Sequence, residues 1–512
     1  MLSHINGVSR SFFIKISAMA NNFKEESVEE INIIMQQSQS AFEAYQKTTA
    51  EQKALFLEAV ADEIEALGDA LLQKAYEETN LPLPRLTGER ARTTGQLRMF
   101  AGMLREGSWV EASIDTALPN RTPLPRPDLR KMLVPLGPVV VFGASNFPFA
   151  YSTAGGDTAS ALGAGCSVVV KAHPAHAETS EMVYQAIKKA IVSSNMPEHV
   201  FQHVHGTSFE SGKALVQADD TAAVGFTGST VGGLALLQYS SERKKPIPVF
   251  SEMGSINPVI FLPDTLNKNA ADLAAQYAGS ITLGVGQFCT NPGLMLAIEG
   301  EGLDNFYKLL GNGIEGIKPA KMLHAGIHSA YEKKSHTALE QSGVSSVVKS
   351  TTEAVDIEAQ PTIALVSAET FLENHLLHEE VFGPYSLMVS CKDEQELIKV
   401  LKSVSGQLTT TVMGTDEDFA GHSNLLQLLP TIAGRVLFNG VPTGVEVCAS
   451  MVHGGPFPAT TDSRFTAVGI NAAKRWVRPV CYQNCPDSLL PLALQQANPT
   501  NIWRLFDGEW KK

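Results

Sequence analysis

The sequence has little cysteine, no surplus of positive charge and no long apolar run. Six cysteines in 512 residues are too few for a disulfide scaffold. Only Cys481 and Cys485 lie close together, and no second Cys or His pair stands at zinc-finger spacing. Free thiols in a reducing cytoplasm are expected. Lys and Arg number 40 against 53 Asp and Glu, a formal net charge of −13. This balance argues against a nucleic-acid or anionic-membrane partner, since both attract basic patches. Gly, Pro or a charge interrupts every apolar stretch well short of the roughly 20 residues that span a bilayer. What remains is ordinary globular composition, 44% hydrophobic and 18% charged, too apolar for disorder and long enough for several domains.

Residues 1–24 contain no acid, carry Arg10, Lys15 and Lys24, and hold the apolar patch Phe12, Phe13, Ile14 and Ile16. The patch is short for a signal sequence and no A-x-A-like site follows it. The segment reads as an N-terminal extension, with Met19 as an alternative start. From Ser27 to Thr79 the pattern is helical, with capping boxes expected on Ser27 and Glu30 and on Thr48 and Glu51. A further helix is expected from Glu89 to Leu104. Four prolines between Leu118 and Pro127 exclude a regular core element there.

Beyond Pro135 short β-branched runs alternate with helical stretches. Strands are expected at Val139–Phe142, Val168–Lys171, Val200–Val204 and Ala223–Phe226, and across Pro248 to Leu262. Such alternation indicates an α/β fold with a parallel sheet covered on both faces, and ligands then bind beyond the strands' C-terminal ends. Asn146, Lys171, His205 and Gly228 should line that edge. The turn Gly225 to Gly233 brings glycines to a helix N-terminus, where free N–H groups suit a phosphate. Cys289 lies in a loop of small residues, a setting for an exposable nucleophile, although a lone cysteine is more often a buried small hydrophobe. Glu252 interrupts an apolar strand, where desolvation raises a carboxylate toward general-base values. Asn146 follows a strand, and its side-chain amide suits an oxyanion as well as an Asx turn.

In order and spacing these residues resemble the aldehyde dehydrogenase superfamily. The quoted matches are Asn146-Phe147-Pro148, Lys171 at its strand end, Phe226-Thr227-Gly228-Ser229-Thr230, Glu252-Met253-Gly254-Ser255, Gly286-Gln287-Phe288-Cys289 and Glu380-Val381-Phe382-Gly383-Pro384. The stretch Ala154 to Leu162 and the loop His453 to Pro458 are similar to the branch of ketoglutarate-semialdehyde (2,5-dioxovalerate) dehydrogenases and the NADP-dependent fatty aldehyde dehydrogenase of luminous vibrios.

The resemblance implies a Rossmann-like dinucleotide domain over 25–252 and an α/β catalytic domain over 253–475. A small β oligomerisation element would combine 115–135 with the tail 476–512, giving a homodimer or homotetramer. It implies oxidation of an aldehyde, 2,5-dioxovalerate or a fatty aldehyde, to the acid, with Cys289 as nucleophile, Glu252 as base for water and Asn146 as oxyanion donor. Gly228, Ser229 and Gly233 would face the pyrophosphate, Lys171 the adenosine ribose and Glu380 the nicotinamide ribose. No metal enters that chemistry. NAD-preferring members commonly carry a Glu three residues after the lysine. Here that position is Pro174, beside His173, so NADP is expected with NAD tolerated. A CoA-acylating enzyme and a non-catalytic nucleotide binder are the alternatives. His453 lies near the expected substrate mouth.

Overall fold

The computed structural model describes residues 23–512, so nearly all of the expected N-terminal extension lies outside the described residues. The first capping box forms as expected, with Ser27 and Glu30 bonding reciprocally. The second forms one residue later, on Thr49 and Gln52, because the Thr48 hydroxyl donates back to the Tyr45 carbonyl at 2.7 Å. The next long helix runs Leu83–Glu106, six residues ahead of the expected start. Pro84 opens it rather than blocking it, since a first-turn residue needs no N–H partner.

Strands β1 (Ser113–Asp115) and β2 (Leu129–Pro135) precede the main body. Five parallel strands follow: β3 (Val139–Phe142), β4 (Val168–Lys171), β5 (Phe201–Val204), β6 (Ala223–Thr227) and β7 (Val249–Glu252), in the order β5-β4-β3-β6-β7. Val139, Val140, Val168, Val169 and Val170 are fully buried, as β-branched runs between two helical layers should be.

The expected single strand from Pro248 to Leu262 is two strands. β7 ends at Glu252, and β8 (Val259–Phe261) belongs to another sheet. Asn257, in the left-handed region at φ 47° before Pro258, turns the chain between them. β8 joins β9 (Leu294–Ile298), then come the short β10 (Ala320–Lys321), β11 (Ser345–Lys349), β12 (Glu358–Ala359), β13 (Thr362–Ser367), β14 (Tyr385–Cys391), β15 (Gln407–Met413) and β16 (Ala433–Phe438). The order of the second sheet is β11-β13-β14-β9-β8-β15-β16, with only β11 antiparallel; β10 and β12 form a separate ribbon.

The last strands, β17 (Val477–Gln483), β18 (Arg504–Phe506) and β19 (Glu509–Lys511), complete a third sheet, β17-β2-β1-β18-β19. Before reaching it the chain crosses back over the first domain. Met253 N–H donates to the Ala459 carbonyl at 2.8 Å, and Thr461 N–H to Ser251 at 3.1 Å. Trp476 is fully buried in the first core, its indole N–H on Ser160 at 2.8 Å. Beside it Arg475 pairs with buried Asp157 at 2.6 Å. This return passage carries His453 to the end of β7.

Candidate active site

The order in which the strands are laid down decides where a ligand fits. β3, β4 and β5 step outward in one direction, then β6 returns to the other side of β3. The loops leaving β3 and β6 therefore diverge, and the crevice between them is the binding edge of such a sheet. A cavity of about 280 Å³ opens there. Its lining includes Asn146, Gly228, Ser229, Glu252, Cys289 and Glu380. Residues separated by up to 234 positions in sequence thus meet on one surface. A larger groove of about 730 Å³, between the helices near Lys53 and Leu104 and the third sheet, touches none of these residues.

Ser229 caps the helix Thr230–Ser241, its hydroxyl accepting from Gly232 N–H at 3.2 Å. The first-turn N–H groups of that helix lack helical acceptors and point to the cavity end. Gly254 lies under the Glu380 carboxylate; a Cβ there would sit 2.6 Å from Oε2. Burial raises the Glu380 carboxyl to about 7, against a weak Ser255 N–H contact at 3.5 Å. A glycine-lined cavity with a free helix N-terminus and an acceptor carboxylate at its far side fits a dinucleotide's pyrophosphate and ribose.

Lys171, Gly233, His173 and Pro174 do not line this cavity. Gly233 packs under Met253. The Lys171 ammonium donates to the Gly206 carbonyl at 2.7 Å, and burial lowers its pKa. Glu25 holds the loop beyond: its carboxylate accepts from Thr207 and Ser208 N–H and from the Ser208 hydroxyl. The His173 imidazole accepts from Ala175 N–H at 3.1 Å, and burial with His176 alongside drives its pKa well below the usual value. It brings no charge to the loop. Pro174 opens the 3₁₀ turn Pro174–His176.

The loop before Cys289 is held tightly. Val285 (φ 60°) and Gly286 (φ 63°) are left-handed, a conformation that costs a β-branched residue about 1–3 kcal/mol. Gly286 packs on the Gly383 carbonyl, leaving 2.2 Å for a Cβ. Asn257 Nδ2 then donates to the carbonyls of Cys289 and Asn291, both at 2.9 Å. Asn257 is itself fixed by Gln407 Oε1, which accepts its N–H at 2.9 Å. Asn146 Nδ2 donates to the Gln287 carbonyl at 3.2 Å, so Asn146 and the loop before Cys289 are tied together.

His453, expected near the substrate mouth, reaches both Cys289 and Glu252. Its Nε2 lies 3.5 Å from Cys289 Sγ and 3.0 Å from Glu252 Oε2. The imidazole and the carboxylate are both buried. The 3.0 Å approach is not an aligned hydrogen bond, because neither Glu252 oxygen has a directed donor. Burial, then the Glu252 charge, pushes the Cys289 thiol well above its usual value.

An aromatic and apolar cluster adjoins His453: Phe147, Tyr151, Val445, Val447 and Met451 pack together, and the Tyr151 and His453 ring centroids are 6.3 Å apart. Arg85 stands in it. Its guanidinium lies over Phe147 at 5.0 Å and Phe288 at 4.7 Å. Nη2 donates to the Asn146 carbonyl at 2.7 Å, while Nη1 is buried and unpartnered.

Residues 17–455 match the sequence pattern of the aldehyde dehydrogenase family. The chain belongs to the aldehyde dehydrogenase family. The chain is 50% identical over 472 residues to alpha-ketoglutaric semialdehyde dehydrogenase 2 of Azospirillum brasilense, covering 92% of this chain and 90% of that one. It is 46% identical to an alpha-ketoglutaric semialdehyde dehydrogenase of Acinetobacter baylyi, covering 95% and 92%. The fold matches that of betaine aldehyde dehydrogenase from Staphylococcus aureus, solved in complex with NAD+, with TM-score 0.77 at 19% identity and coverage of 90% and 89%. This aldehyde dehydrogenase therefore has the mixed α/β architecture expected from its motifs, and it oxidises an aldehyde to the acid.

Proposed function

We propose that this aldehyde dehydrogenase oxidises 2,5-dioxovalerate, the semialdehyde of α-ketoglutarate, with NADP as the preferred acceptor. The observation that carries the substrate is Arg85. A buried guanidinium nitrogen without an acceptor is costly, and a substrate carboxylate relieves that cost. The aromatic walls Phe147 and Phe288 hold the guanidinium, and Phe288 is the residue before Cys289. The identity to two ketoglutaric semialdehyde dehydrogenases supports the same reading. Arg85→Met should raise KM for 2,5-dioxovalerate by about 10–100-fold, the worth of a charge-assisted hydrogen bond, and leave KM for hexanal within about twofold. Equal effects on both aldehydes would remove the assignment.

The chemistry follows from three side chains. Cys289 is a thiol until a base takes its proton. His453 Nε2, 3.5 Å from Sγ, is within reach of that proton. Once protonated, the same nitrogen faces Glu252 at 3.0 Å, which offsets the new charge. The thiolate sulfur bonds to the aldehyde carbon, and the oxyanion takes Asn146 Nδ2 and the Cys289 N–H. Gly228, Ser229 and Glu380 would hold a nicotinamide dinucleotide, which would supply the hydride acceptor; once that carbon has lost its hydride, Cys289 carries a thioester. Glu252 then takes a proton from water, whose oxygen displaces the thiolate. No donor is aligned on either oxygen, which leaves both free to accept from that water. A buried acid facing the nucleophile favours water over CoA as acyl acceptor.

Lys171 and the absence of an acid at Pro174 support NADP. The donors now held by Glu25 form a set suited to an oxyanion, and Glu25 must move aside for a 2′-phosphate. Wild type should show a higher kcat/KM for NADP than for NAD. Lys171→Met should lower the NADP value by about 10–100-fold and the NAD value far less. A wild type favouring NAD, or an unchanged ratio in Lys171→Met, would show that the phosphate is not read here. The third sheet, exposing Trp503 and Trp510, is the surface through which a homodimer or homotetramer would form, in a reducing cytoplasm that keeps Cys289 free.

A further inference from the structure

We propose that Glu181, His203 and His205 form a second site on this enzyme that binds a divalent transition metal of the zinc class, remote from the catalytic cysteine. The reasoning begins in the strand. His203 is on β5 and His205 follows it two residues on, so both side chains fall on the same face. The helix Ala177–Ser193 packs over that face and presents Glu181. Glu181 Oε2 lies 3.2 Å from His205 Nε2 and 3.6 Å from His203 Nδ1. One atom from each residue lies within 4.8 Å of the other two. Metal–ligand bonds of about 2.0–2.2 Å place neighbouring ligands at such separations.

A second, independent observation points to a ligand. His203 Nδ1 is buried and has no hydrogen-bond partner, though it is aimed at the carboxylate. Its other nitrogen, Nε2, is within 3.4 Å of the Thr153 hydroxyl. A hydroxyl that accepts from Nε2–H leaves the lone pair on Nδ1, the atom that faces the site. The rings are also held in place. Tyr184, one turn after Glu181, stacks on His203 at 5.0 Å, and Phe23 lies flat on His205 at 4.0 Å. Such support fixes ring orientation, as outer-sphere contacts do in metal sites.

The donor chemistry agrees with binding. Two imidazoles and one carboxylate select zinc, cobalt or nickel over magnesium and calcium, which prefer oxygen donors. Glu181 is partly exposed, giving a path for the ion and for water to complete the coordination.

The active site contains a comparable trio, Glu252, Cys289 and His453, so the test must separate the two. Cys289→Ala removes the thiolate from that trio. In this background, equilibrium dialysis against Zn²⁺ should show one ion per chain, and Co²⁺ should give visible bands without sulfur charge transfer. Adding Glu181→Gln or His205→Gln should weaken uptake by at least about a hundredfold, since losing even an outer-sphere partner costs roughly 10–100-fold. Retained circular dichroism and dinucleotide binding would establish that these variants fold. Failure of the Cys289→Ala protein to take up zinc stoichiometrically would overturn the proposal. So would uptake that survives both second substitutions.

Discussion

Cys289→Ala is expected to lower steady-state aldehyde oxidation by roughly 10⁴–10⁶-fold, the scale on which loss of a catalytic nucleophile acts, with dinucleotide affinity almost unchanged. Cys289 lines the same cavity as Ser229, Gly228 and Glu380, and truncating its side chain removes no atom of the helix N-terminus or of Glu380. The other cysteines have no comparable surroundings. Cys166 and Cys391 are buried, and their thiols are pushed up to about 11 and about 12. Cys166 also donates to the Trp476 carbonyl. Cys448 and Cys481 are exposed and Cys485 is partly so, and none of the three lines the cavity. Peptide mapping after a limiting thiol reagent should find the label that tracks inactivation on Cys289, with protection by substrate. Inactivation tracking a label on another cysteine, or near-wild-type turnover in Cys289→Ala, would remove it as the nucleophile.

What the chain reveals before folding depends on how local the cause is. The valine runs at 139–141 and 168–170 are strands because nothing else suits uninterrupted β-branched residues buried on both faces. Their parallel pairing then follows from the α/β alternation. The reading of one strand across Pro248 to Leu262 failed because Asn257 reverses the backbone on its own. That reversal makes Asn257 a holder of the Cys289 loop. The second capping box moved to Thr49 because the Thr48 hydroxyl had a nearer acceptor. Cys289, Glu252 and Asn146 were legible through motifs with fixed spacing. His453 and Arg85 were not legible as contacts. His453 reaches Cys289 across 164 residues only because the chain from Pro456 to Trp476 returns along β7. Arg85 lies ahead of the expected helix start at Glu89 and belongs to no motif, and its free nitrogen is visible only once Phe147 and Phe288 enclose it. Residue type identified the groups capable of chemistry, and long-range packing decided which of them meet.

Glu252→Gln and His453→Gln should fail at different steps, and the difference tests the assigned roles. In Glu252→Gln the thiol still has His453 within 3.5 Å, so one hydride equivalent should appear as a burst of NADPH. Turnover should then stall at the thioester, with steady state lowered by about 10²–10⁴-fold, the worth of a general base. Acid quenching should trap a substrate-derived acyl group on Cys289. In His453→Gln the burst itself should slow by about 10²–10³-fold, because a thiol raised by burial and by Glu252 must ionise unaided. The sign of the pH response is then determined. Below its own pKa a thiol is ionised in proportion to hydroxide, so the burst rate of His453→Gln should climb about tenfold per pH unit through neutrality, without the plateau that a paired base confers. Wild type should respond much less steeply over the same range. A normal burst in His453→Gln would return the deprotonation of Cys289 to Glu252. Loss of the burst in Glu252→Gln, with His453 intact, would require the carboxylate to act before hydride transfer, as the charge partner without which the imidazole cannot hold the thiol's proton.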